Sequence, residues 1–185
     1  VMFRAGRHVT LRQWADQLAA VADQIPRLFL FLATADLNLG QHQRALAHLN
    51  QATQGYQQRS DQTGRIGLVE VNLRRCWVLI SQGQYPAALP LAADVVDQPP
   101  NLLPKASRAL GLRALGNCQF QGGELEAAEA SLIAARELLH GPDDRYDLAL
   151  ALSDLAAVFR QRGKTAHAAQ AQQQHFHGPD ADVAA

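Results

Sequence analysis

His175-Phe176-His177 is the nearest approach to a metal-binding pair in this chain. Residues two apart on a helix point away from each other, and no cysteine or acidic ligand stands beside them. A solvated tail is the simpler expectation. Asp143-Asp144 has the look of paired acids. The pair follows Gly141-Pro142 and precedes a helical pattern, where capping of the coming helix accounts for it. Cys76 and Cys118 have no histidine at a spacing that would make either a nucleophile. Both sit inside helical patterns, which fits free buried thiols better than a disulfide framework. His8 and His42 each stand two residues after a glycine, a shared repeat position that points to packing. No Gly-x-x-x-x-Gly-Lys-Ser/Thr loop occurs, and Gly122-Gly123 is followed by Glu-Leu-Glu, the wrong charge for a phosphate cradle. No helix-turn-helix reader is found. The expectation is therefore no catalytic residue, no metal, no cofactor and no enzyme activity.

The elements that would position any other site are set by glycine. Gly40, Gly83, Gly123 and Gly163 recur at about 40 residues, and each opens a similar phrase, such as Gly83-Gln-Tyr-Pro-Ala-Ala88 and Gly123-Glu-Leu-Glu-Ala-Ala128. A less complete copy starts at Gly6. Such a period means stacked helical pairs. A first helix is expected before each glycine: 27–39, 65–82, 105–121 and 146–162. A second is expected after it: 42–57, 85–96, 125–139 and 165–174. In the second helices Ala45, Leu49 and Ala52 share a face, as do Ala88, Ala92 and Val95, and Ala128, Leu132 and Ala135. Asn101 and Asp143 or Asp144 are expected N-caps. In the last helix Gln172 and His175 replace the apolar stripe, as a terminal cap requires. The expected domain is 1–174, with 175–185 a flexible tail. The opening Val1-Met2-Phe3-Arg4 begins in mid-pattern, which reads as a piece of a larger protein.

Charge narrows the function further. Seventeen Lys and Arg balance seventeen Asp and Glu, and Lys105 and Lys164 are the only lysines. No basic stripe is apparent, so direct contact with nucleic acid is not expected of this segment. No apolar run approaches the length of a membrane span, and no leader pattern is seen. The expected compartment is the cytoplasm.

These repeats resemble the tetratricopeptide (TPR) family. Small residues stand on the first helix at Ala33, Cys76, Gly116 and Ala156, and alanines on the second at Ala45, Ala88, Ala128 and Ala168. Phe29, Asn72, Leu112 and Ser153 occupy the place of the family's tryptophan, and the spacing exceeds the usual 34 residues. The resemblance implies an all-α, right-handed superhelix of helical hairpins, about four to five repeats of about 40 residues. At the N-terminus, Gly6-Arg-His-Val-Thr-Leu-Arg-Gln-Trp-Ala-Asp-Gln-Leu18 resembles the start of the sensor array in MalT-like, LuxR-type bacterial transcriptional regulators.

The TPR resemblance also implies a ligand- or peptide-binding groove on the first helices. Carried through the glycine register, it holds Thr34, Asn38, Glu70, Trp77, Arg113, Asn117, Asp154 and Arg160, with Arg27, Leu30 and Leu73 among the further inner positions. Trp77 would stack, the arginines would pair carboxylates and Asn117 would take backbone-like groups. The expected function is a non-catalytic sensor or scaffold array from a MalT-like regulator, binding a protein, peptide or small-molecule effector. The alternative is a general protein–protein adaptor or homo-oligomerisation module.

Overall fold

The computed structural model describes residues 25–177. The phrase from Gly6 to Leu18, His8 and residues 178–185 of the expected tail lie outside them, as do the side chains of His175, Phe176 and His177. The described secondary structure is all helical. Its elements are α1 (Pro26–Asn38), α2 (His42–Gln57), α3 (Gln62–Ser81), α4 (Tyr85–Asp97), α5 (Lys105–Gln121), α6 (Leu125–Glu137), a 3-10 turn (Pro142–Asp144), α7 (Arg145–Gln161) and α8 (Thr165–His177). These eight helices pack sequentially as hairpins. The chain divides into two compact units whose boundary falls between Leu91 and Ala92, within α4.

The four glycines do the same job four times. Each has positive φ, from 71° to 82°. At the end of α1, Gly40 N–H donates to Leu37 C=O at 3.0 Å and Gln41 N–H to Asp36 C=O at 2.7 Å. The same bonds recur at Gly83 and Gln84, at Gly123 and Glu124, and at Gly163 and Lys164. This is the Schellman arrangement, which satisfies the last carbonyls of the helix and needs a left-handed residue. An added Cβ at any of the four would meet nothing within 4 Å. Glycine is thus demanded by the backbone and not by crowding.

Other helix ends depart from expectation. α3 begins three residues early because Asp61 accepts the N–H of Gly64 at 2.9 Å. That bond holds the Asp61 carboxyl below its ordinary range against the opposing effect of desolvation, with Thr63 and the Arg59 charge assisting. Asn101 is not a cap; Pro104 precedes α5 without a side-chain bond. Asp144 turns backward, its carboxylate accepting Gly141 N–H at 2.9 Å, so a 3-10 turn precedes α7. α8 continues to His177.

In the first unit α1 packs on α2 and α3, and α2 on α3; in the second α5 packs on α6, and α7 on α6 and α8. The alanine stripe makes this close approach workable. Ala45, Leu49, Ala52 and Tyr56 of α2 are buried, as are Ala88, Ala92 and Val95 of α4 and Ala128, Leu132 and Ala135 of α6. The facing small residues Ala33, Cys76, Gly116 and Ala156 are also buried. A Cβ on Gly116 would lie 2.7 Å from Leu132 Cγ, so α5 and α6 meet there at backbone distance. Cys76 and Cys118 are buried free thiols, and Cys76 Sγ donates to Ala88 C=O at 3.4 Å. Among the described residues no helix is long and apolar enough to cross a membrane.

Candidate functional site

The polar residues expected in the groove group within each unit. In the first, Thr34 Oγ1 donates to Leu30 C=O at 2.8 Å, and Arg74 Nε reaches Thr34 Oγ1 at 3.4 Å. Arg74 also pairs with the Glu70 carboxylate one turn earlier and donates to the Glu70 carbonyl at 3.0 Å. Thr34, Glu70 and Arg74 therefore form a bridge between α1 and α3. Asn38 lies exposed at the last residue of α1, and Trp77 is half-buried on α3. Leu30 and Leu73, expected on the inner face, belong to the core, at 5% and 1% exposure.

The second unit repeats the device with different chemistry. Arg113 Nε donates to Asp154 Oδ2 at 2.6 Å, and Asn117 Nδ2 donates to the same oxygen at 2.9 Å. Asn117 Nδ2 also reaches the Arg113 carbonyl at 3.0 Å. Three of the expected site residues thus meet each other across α5 and α7. Arg160 is exposed on α7 and forms no ion pair among the described residues. Arg113 and Arg160 consequently differ: one already holds a carboxylate and the other offers its charge to solvent.

The two bridges share a register. Thr34 and Asn117 each stand six residues before their glycine, whereas Arg74 and Asp154 stand nine before theirs. Arg74 is the inner residue that sequence reasoning missed. Its signal was its match with Asp154 in distance from the glycine.

A second pair also escaped. Asp36 is fully buried, and its Oδ2 lies 3.0 Å from His48 Nδ1, joining α1 to α2. The His48 ring stacks on Phe29 with centroids 6.1 Å apart. Asp36 stands four residues before Gly40 and His48 eight after it. In the third repeat the same positions are Gln119 and Ser131, bonded at 2.8 Å. In the second and fourth they are Leu79 with Leu91 and Phe159 with Ala171. Pairing by register, polar with polar and apolar with apolar, marks Asp36–His48 as a structural contact of the hairpin. Among the described residues no group of three or more His, Cys, Asp and Glu could hold a metal ion.

No family model matches the chain, and no curated protein matches it in sequence. Among solved structures it is similar to one described as "MamA RS-1 ArsTM double mutant". The identity is 19%, the TM-score 0.57, and the match covers 95% of this chain and 86% of that one. At this identity the likeness is one of fold, an all-α arrangement of sequential helical hairpins.

Proposed function

We propose that this chain is a non-catalytic, TPR-like scaffold that binds a protein or peptide partner along the first helices of its hairpins. The observation that carries this reading is the repeated unit itself. Four glycine turns order successive hairpins, one stripe of each being core and another carrying partly exposed polar groups. The binding residues in this reading are Thr34, Asn38, Glu70 and Trp77 in the first unit, and Arg113, Asn117, Asp154 and Arg160 in the second. A protein segment suits them better than a small anion. Arg113 and Arg74 already hold carboxylates, so a small acid would have to displace Asp154 or Glu70. A longer segment adds contacts at Asn38 and Trp77 on the first unit, or at Arg160 on the second, without breaking the pair of that unit.

The Gly6–Leu18 phrase favours a finer second reading, in which the array is the sensor segment of a MalT-like transcriptional regulator and resides in the cytoplasm. Effector binding would then bias a parent protein between two states, which requires different affinity for each. A thermal-shift panel of saccharides, amino acids, nucleotides and short peptides separates the two. A ligand at 100 times its dissociation constant adds about 2.7 kcal/mol, a shift of roughly 5–10 °C for a chain of this size. Shifts confined to peptides, and lost in Trp77→Ala with Arg160→Ala, agree with the scaffold. Shifts confined to one small-molecule class overturn it in favour of the sensor.

A further inference from the structure

Among its described residues the first unit has an imbalance of charge that their own contacts do not answer. Its described residues include six arginines and three acids. All three acids are committed: Asp36 to His48, Asp61 to the start of α3 and Glu70 to Arg74. Arg27, Arg44, Arg59 and Arg65 are exposed and enter no ion pair among the described residues.

Two of the four come together at one edge. Pro26, beginning α1, packs on Gly55 near the end of α2, where an added Cβ would collide with the proline ring. Tyr56, next along α2, lays its ring on Gly67 of α3 just as closely. The start of α1, the end of α2 and the first half of α3 therefore converge on Tyr56. Arg27 follows Pro26, with its guanidinium 5.6 Å from the Phe31 ring centroid. Arg59 N–H donates to Tyr56 C=O at 3.1 Å, and its carbonyl lies against Gly64 of α3. The Tyr56 phenol registers this setting. Burial pushes its pKa up, Arg27 pulls it down, Glu70 pushes it up, and Arg59 and Arg74 pull it down.

We infer that this edge of the first unit, with Arg27 and Arg59 as its anchors, docks a carboxylate-rich segment of a partner protein. Guanidinium groups suit carboxylates because their donors lie in one plane and bind two oxygens together. Among the described residues the nearby acids, Asp61 and Glu70, are held by Gly64 and Arg74 and compete weakly. A protein segment fits better than a nucleic acid. The whole chain has no net charge, and tracking a phosphate backbone needs an extended basic surface. The inference rests on the protein-binding reading but anchors on none of the eight residues named there, so the two can fail separately.

The test is fluorescence anisotropy of a labelled octaglutamate peptide with the full chain, beside octaglutamine and a single-stranded RNA of eight nucleotides. Arg27 and Arg59 are exposed, so R27E with R59E should retain the helical circular dichroism signal. It should bind octaglutamate about tenfold more weakly, since reversed charges repel the peptide. R44E, at the opposite end of α2 from Arg59, should bind as the parent does. Equal loss in R44E, or no octaglutamate binding by the parent chain, overturns the inference even if Trp77→Ala still weakens another peptide. Tighter binding of the RNA through the same two arginines overturns it in favour of a nucleic acid.

Discussion

A carboxylate with no exposed surface must be answered inside the fold, and Asp36 is answered in part by His48. Removing the imidazole alone leaves a buried acid short of a partner. His48→Ala should cost roughly 1–3 kcal/mol, read from urea unfolding. The second repeat suggests the repair, because Leu79 and Leu91 occupy the same two positions. Asp36→Leu with His48→Leu should cost clearly less than the two single changes added together. A double-mutant cycle with no coupling would show that the pair is not energetically joined. The alanine stripe makes a companion case. Ala128 has no exposed surface, and Ala128→Leu should overpack the α5–α6 contact by roughly 1–3 kcal/mol. An unchanged melting temperature would mean that the stripe has room. At this scale the sequence was least legible. Buried alanines follow from a period of 3.6, but Asp36, Arg74 and Asp61 are polar and break no pattern. Only their distance from a glycine, or a bond to a backbone N–H, shows what they do.

Elements were far more legible, because their ends are backbone events with few chemical solutions. A left-handed residue closing a helix is nearly always glycine, so four glycines at a regular spacing located four turns. The expected bounds of α2 and α5 coincide with those observed. The misses lie at ends without such a glycine: Asp61 caps α3 three residues before its expected start, where several residue types can cap, α6 stops two residues short and α8 runs three residues long. Gly123→Ala should cost about 1–2 kcal/mol through backbone strain alone, since the added methyl touches nothing. Gly123→Asn should cost less, and equal losses in both would point to crowding instead. The fourth turn carries an extra tie: Glu129 of α6 receives Lys164 Nζ at 2.9 Å and also pairs with Arg162. Burial pushes the Glu129 carboxyl up, but the Lys164 bond and the two positive charges outweigh it, holding it below 4.5. Its folded value thus lies below the unfolded one. The contribution is present above about pH 4.5 and is lost as pH falls through the folded value. Glu129→Gln should lower stability at neutral pH and flatten its fall in acid. An unaltered acid slope would remove Glu129 from that transition.

For the whole molecule, the sequence period and the contacts carry different information. The period runs through all four glycines without a break, whereas the packing divides the chain within α4. Periodicity reports that each hairpin resembles the next; it carries no measure of how strongly neighbours hold together. In an array of hairpins stability is approximately a sum of local terms, and opening can be local. The core groups are likewise local: Leu49 sits with Phe29, Tyr56 and Val78, and Leu155 with Leu132, Phe159 and Ala168. Leu49→Ala and Leu155→Ala should each remove about 2–5 kcal/mol from the group that contains them. Native-state hydrogen exchange then tests where that loss is felt. If the units open separately, Leu49→Ala speeds exchange in α1, α2 and α3 while α6, α7 and α8 keep their protection. Leu155→Ala should do the reverse. If either change lowers protection equally from α1 to α8, the chain opens as one cooperative body. A partner bound to the first unit would then stabilise α7 as much as α1, whereas separate opening confines the effect to the unit that is bound.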